Sequence, residues 1–191
     1  MSEKPIHIPV LLSETIESLD IKPNGIYVDC TTGFAGHSSE IAKRLTTGRL
    51  IGFDRDPDAV KAAEEKLKDY PHTLINRKFS TFDESLDEIG VGKVDGVLMD
   101  LGVSSYQLDT AERGFSYHED APLDMRMSKS GLSAYDVVNE YSKEQLEKIL
   151  FEYGEEKFAH GIVSGILKAR ETAPIKKTLE LAEIVKRNVP L

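Results

Sequence analysis

The stretch Tyr27-Val-Asp-Cys-Thr-Thr-Gly-Phe-Ala-Gly-His-Ser-Ser-Glu-Ile-Ala-Lys-Arg-Leu45 decides how the chain reads. The short apolar run that opens it, Gly25-Ile-Tyr-Val-Asp29, has the pattern of a buried strand. A turn of small residues follows, with Gly33 and Gly36. Ser38 then marks the start of a helix whose apolar positions Ile41, Ala42 and Leu45 share one face. Strand, glycine loop and helix form the first unit of a nucleotide-type binding fold. Glycines at the turn let backbone approach a ligand, because no Cβ intervenes. The N–H groups at the helix start favour an anionic group. A loose glycine pattern is equally compatible with an ordinary βα turn.

Working outward, Gly48-Arg-Leu-Ile-Gly-Phe-Asp54 is a second strand that ends in an acid. Asp54 stands about 20 residues beyond the loop, where nucleotide-binding α/β folds place a carboxylate on an adenosine ribose. Asp56-Pro57 is a helix start, an Asp cap with Pro in the first helical position. That helix carries Ala59, Val60, Ala63 and Leu67 inward. Thr73-Leu-Ile75 is a third strand, and Ser80 with Asp83 is a capping box for the next helix, buried through Phe82, Leu86 and Ile89. Val94 to Asp100 is a fourth strand. Upstream, residues 6 to 20 read as an extended arm leading into a short helix capped near Ser13. Strands alternating with helices predict a parallel sheet with right-handed crossovers, its ligands outside the carboxyl ends of the strands.

After Asp100 the pattern changes. Leu101 to Met127 is long, rich in glycine and mixed charge, and almost without period. Long ordered loops of this kind are usually functional. Helices follow: one capped by Ser133, one opened by a Ser142/Gln145 box, one over Glu155 to Arg170, and one from Thr178 after Pro174.

Bulk properties narrow the function class. The 191 residues carry a net charge of −9, which argues against a general nucleic-acid coat protein. An apolar content of 40% supports a packed core. No run is long and apolar enough for a membrane span, and the first residues lack a secretion pattern, so a cytoplasmic enzyme is expected. The single cysteine, Cys30, reads as core packing. Five scattered histidines predict no metal site.

The residues resemble a family: the bacterial S-adenosylmethionine-dependent methyltransferases that modify the N4 amine of a cytidine in small-subunit ribosomal RNA. The segments that carry the likeness are His7 to Glu14, Asp29 to Ser38, Asp54 to Pro57, Asp100 to Asp109, Arg113 to Ser116, Pro122 to Met127 and Tyr153 to Phe158. The resemblance implies an α/β, Rossmann-like methyltransferase sheet with four of seven strands present, followed by an all-helical insertion domain. Residues 1–104 would form part of the cofactor-binding domain, and residues 105–191 the long loop and helices, with a role in RNA recognition. It implies that Gly33, Ala35, Gly36 and His37 receive the carboxylate end of S-adenosylmethionine. Asp54 would hold the ribose, Phe79 would lie beside the adenine, and Asp100 and Gln107 would complete the contacts. Ala35 stands where many relatives have glycine. Asp100 has a second candidate role, as the catalytic acceptor that orients the target amine. The implied partner is 16S rRNA in the small ribosomal subunit.

Other readings stand beside these. Arg113 and Arg126 pair with Glu112 or Asp124, or else contact RNA. Phe115 and Tyr117 pack inward or stack on an extruded base. The cations Lys157, His160, Lys168, Arg170, Lys176, Lys177, Lys186 and Arg187 are solvated surface or a face for phosphates. A dinucleotide-dependent oxidoreductase is a weaker alternative, since Gly33-Phe-Ala-Gly36 departs from Gly-x-Gly-x-x-Gly. A non-catalytic binding fragment is another. With three strands missing, Val94–Asp100 is expected to form a sheet edge that recruits a second copy of the chain unless the helical segment folds back over it.

Overall fold

The computed structural model describes residues 9–190, and the chain divides into two compact units, residues 1–102 and 103–191. In the first unit, four parallel strands lie in the order β3-β2-β1-β4: β1 is Ile26–Asp29, β2 Arg49–Phe53, β3 His72–Ile75 and β4 Gly96–Leu98. Asp29 therefore sits level with Gly52 on one side and Leu98 on the other. The strand order reverses between β1 and β4, and open α/β sheets bind ligands at such a reversal.

Helices cover both faces. Leu12–Leu19 (α1), Gly36–Ala42 (α2) and Pro57–Leu67 (α3) pack with Tyr27, Ile41, Leu50 and Ala63 into one core. Phe82–Glu88 (α4) closes a second core around Val28, Ile51 and Phe53. Val28, Leu50, Ile51 and Phe53 are fully buried, each worth roughly 1.5–3 kcal/mol of transfer free energy. Adjacent residues of β1 and β2 feed opposite cores, so these strands read as unbroken apolar runs rather than alternating ones.

Several helix starts differ from expectation. The Asp56 cap forms as read, its side chain accepting the Asp58 N–H, with Pro57 first in α3. Ser13, however, lies inside α1, which begins after Leu11 in the left-handed region without a side-chain cap. Ser80 makes no box: a 3₁₀ turn, Phe79–Thr81, leads into α4, and no side chain caps it. Strand β4 is three residues long, shorter than the apolar run that predicts it. The arm as far as residue 8 lies outside the described residues.

The second unit opens on Ser105–Asp109 (α5), so the long segment after Asp100 is not structureless. Ser104 and Gln107 form a capping box there. Arg113 is buried and its guanidinium donates to the carbonyls of Arg126 and Met127, at 3.0 and 2.9 Å. It holds the loop through these backbone carbonyls. Arg126 makes the expected pair with Asp124, at 2.5 Å, and this holds the Asp124 carboxyl below the ordinary range. Ala134–Glu140 (α6), Lys143–Lys148 (α7), Ala159–Thr172 (α8) and Thr178–Arg187 (α9) then enclose Leu123, Val138, Leu146, Ile162, Val163, Ile166 and Ile175. The Ser133 and Ser142 boxes form as read. The third helix starts at Ala159 rather than Glu155, because a π-helical turn, Ile149–Tyr153, precedes it and Glu155 adopts φ 51°. Of the cations, Arg170 ties the end of α6 through the Val138 and Tyr141 carbonyls, and Lys177 pairs with Asp120. Phe115 is half-buried, whereas Tyr117 is exposed and tilted against His118.

Candidate cofactor site

The carboxyl ends of β1, β2 and β4 bring together Asp29, the loop Cys30–Ala35, Asp54 and Asp100. Asp29 organises the loop. It is 2% exposed; one oxygen accepts the Thr31 N–H at 3.0 Å, the other the Ser38 hydroxyl at 2.6 Å. Burial raises its carboxyl above the ordinary range, against the lowering effect of these two bonds. The reading from sequence placed Asp29 only as the end of a strand. A buried acid closing an apolar strand was the one signal that could have singled it out. Next to it, burial and then the Asp29 carboxylate push the Cys30 thiol up to about 11, which agrees with a packing role.

Asp54 joins two elements. One oxygen accepts the Gly33 N–H and the other the Asp56 N–H, both at 2.8 Å. Burial raises its pKa against the effect of those bonds. A carboxylate has about four acceptor sites, so capacity remains for ribose hydroxyls. Phe79 stands in the 3₁₀ turn after β3 and is 37% exposed, a flat apolar surface open to solvent. Asp100 follows β4, its side chain exposed and its N–H donating to Thr31 Oγ1 at 2.7 Å.

The loop itself departs from expectation at three places. Ala35 has φ 54° and is fully buried. A side chain in that region costs roughly 1–2 kcal/mol, so backbone conformation explains why glycine suits this position. Helix α2 starts at Gly36, two residues before Ser38, and is only seven residues long. At Gly36 the close approach is within the chain: a Cβ would run into the Pro9 ring, chiefly its Cγ. The Nε2–H of His37 donates to the Val10 carbonyl at 3.0 Å, pinning the same arm. Gly36→Ala is therefore expected to destabilise the unit by about 1–3 kcal/mol through overpacking. Adding Pro9→Ala should restore most of that, since the remaining Cβ lies at 3.4 Å. Thermal melts of the single and double variants check this; equal melting of both would place the clash elsewhere.

Gln107 belongs to the second unit, where its side-chain oxygen accepts the Ser104 N–H at 3.1 Å. The structure thus gathers Gly33, Ala35, Gly36, His37, Asp54 and Asp100 around the strand ends, places Phe79 after β3, and sets Gln107 in the other unit. A surface depression of about 560 Å³ runs along α3, lined by Pro57, Val60, Lys61, Glu64, Glu65 and Asn76. It contains none of these groups and lies on the outer side of the helix that Asp56 caps. Among the described residues, no helix is long and apolar enough to cross a membrane.

The ribosomal RNA small subunit methyltransferase H of Clostridium botulinum (strain Kyoto / Type A2) is 56% identical over 187 residues, covering 96% of this chain and 60% of that protein. The protein of the same name from Finegoldia magna is 52% identical with the same coverage. Among solved structures, a putative rRNA-methylase from Clostridium thermocellum covers 51% of this chain and 54% of its own, with 25% identity and a TM-score of 0.44. The chain spans about 60% of the length of the curated relatives it matches. Residues 4–191, both units, match one family throughout, and the chain belongs to the MraW methylase family.

Proposed function

We propose that this chain is the cofactor-binding part of an S-adenosylmethionine-dependent methyltransferase whose acceptor is the N4 amine of a cytidine in 16S rRNA of the small ribosomal subunit. One observation carries the cofactor reading: the half-buried Asp54 carboxylate, at the end of β2, is aimed by the Gly33 and Asp56 N–H groups and still has acceptor capacity. Asp54 accepts the ribose hydroxyls, Phe79 covers the adenine, and the segment Gly33, Ala35, Gly36 and His37 receives the amino-acid end. Asp100 completes the site from β4 as a ligand. When bound, the cofactor supplies an electrophilic methyl on a sulfonium. The residues then act by orientation: most of the rate comes from holding the amine in line. No strong base is required, because the proton leaves for water after the methyl has moved. The acceptor assignment rests on the family and on the names of the relatives, and the membership leaves the oxidoreductase alternative without support.

Calorimetric titration of the chain with S-adenosylmethionine tests the first half. Binding is expected, and silence would sink it. Tritiated-methyl transfer to small ribosomal subunits, with the labelled nucleoside identified, tests the acceptor in the whole protein. Methyl on any nucleoside other than N4-methylcytidine would overturn that half.

Self-association belongs to the same reading. Among the described residues of the first unit β4 pairs with β1 alone, and Val97, Met99 and Leu101 are 40%, 47% and 66% exposed. Edges of this kind recruit strands. The 191-residue chain is expected to self-associate with rising concentration, and Val97→Lys to suppress this. Sedimentation that is concentration-independent for both would remove the expectation.

A further inference from the structure

Thr31 is the residue the proposed site leaves unused. It lies just past the end of β1, half-buried, with Asp29 on one side and Asp100 on the other. The ladder between β1 and β4 runs through Asp29↔Leu98 and closes with the Cys30 N–H on the Leu98 carbonyl, at 2.9 Å. Beyond that point a side chain continues the link: Thr31 Oγ1 accepts the Asp100 N–H at 2.7 Å. The Thr31 hydroxyl proton has Asp29 Oδ1 as its acceptor, 3.5 Å away, and the Thr31 N–H donates to the same oxygen. The opposite Asp29 oxygen is held by Ser38 from α2. A relay of hydrogen bonds thus runs from the helix, through a buried carboxylate and a hydroxyl, to the backbone of Asp100.

The geometry points to Thr31 as a positioning residue for Asp100: its hydroxyl, held by Asp29, fixes the Asp100 backbone at the strand-order reversal so that the Asp100 carboxylate meets the cofactor. This rests on the reading of Asp100 as a cofactor ligand. The physical need is specific. Asp100 is exposed, so side-chain packing does little to hold it in place. A further backbone ladder bond would prolong β4, whereas a hydroxyl anchors one N–H and lets the chain turn away. Because the anchored N–H is itself exposed, its loss leaves water as a substitute partner. The effect then falls on Asp100 placement more than on folding.

The test uses this chain with Thr31→Val, Thr31→Ser, Asp100→Ala and the Thr31→Val/Asp100→Ala double variant. Each is titrated with S-adenosylmethionine, with melting and amide exchange followed in parallel. Thr31→Val is expected to weaken binding about 3- to 10-fold, the loss of roughly one hydrogen bond. It should also speed exchange of the Asp100 amide and shift melting little. Thr31→Ser should restore affinity and amide protection. In the double variant, Thr31→Val should add nothing to the loss caused by Asp100→Ala, since Thr31 acts through that residue. Wild-type binding with Thr31→Val unchanged overturns the positioning role and leaves the cofactor reading intact. Equal loss in Thr31→Val and Thr31→Ser also overturns it, because the hydroxyl is then not the cause. Additive losses overturn it as well, by separating Thr31 from Asp100. A wild-type chain that does not bind overturns the cofactor reading and this inference together.

Discussion

Asp54→Ala is expected to weaken S-adenosylmethionine binding by about 5- to 150-fold, the equivalent of roughly 1–3 kcal/mol for hydroxyls left unpaired in a partly desolvated site. The structure adds a second contribution. Asp54 holds the Gly33 N–H on one oxygen and the Asp56 N–H on the other, while its carbonyl accepts from Asn76 Nδ2 at 2.8 Å. Removing the carboxylate therefore frees the glycine loop and loosens the start of α3 as well as stripping the ribose contact. Asp54→Asn separates the two contributions. It preserves shape and one acceptor oxygen, so the loop stays close to its place, yet an amide nitrogen replaces an acceptor that the ribose or a backbone N–H requires. Calorimetry should rank the affinities wild type, Asn, Ala. Identical affinities for all three would show that the ribose does not meet Asp54.

Asp29→Ala should produce the largest loss of stability, about 2–4 kcal/mol, because it leaves the buried Ser38 hydroxyl and the Thr31 N–H without their acceptor. Asp29→Asn is expected to cost less, since an amide carries no charge to desolvate. The two differ in their pH dependence. Burial lifts the folded carboxyl above its ordinary range, whereas in the unfolded chain it titrates near 3.8. Between those values the folded state binds the additional proton. Stability from this group is thus present at low pH and declines as pH rises through the raised value. Asp54, raised for the same first cause, adds in the same direction. Amide exchange in β1, followed from pH 4 to 8, should show wild type losing stability relative to Asp29→Asn as pH rises. Parallel curves would mean that the carboxyl does not titrate in that window.

The elements legible from sequence were those set by neighbours a few residues apart. Asp56 caps through the Asp58 N–H, and the Ser133 and Ser142 boxes close within three residues. The apolar runs Gly25–Asp29 and Gly48–Asp54 announced β1 and β2 as strands, and the structure covers them on both faces. The parallel sheet expected from the alternation of elements is the observed one, while its strand order, with β4 beside β1, came from the structure. Where two local signals competed, the sequence was ambiguous. Ser13 and Ser80 are plausible caps by type, but the backbone enters α1 through a left-handed residue and α4 through a 3₁₀ turn.

By itself, then, the sequence determined a parallel α/β unit with an acid at the ends of three strands, a helical segment after it, and the family those motifs resemble. Only the tertiary structure decided what each acid does. Asp29 is buried and holds the loop, Asp54 aims its carboxylate through Gly33, and Asp100 hangs from Thr31. It also showed that the space left by Gly36 belongs to Pro9, and that Ala35 occupies a conformation suited to glycine. The reason is distance along the chain. The bonds from Gly33 to Asp54 and from Asp100 to Thr31 join residues 21 and 69 positions apart. Residues so far apart meet only once the sheet has set its strand order, and no local pattern records that meeting.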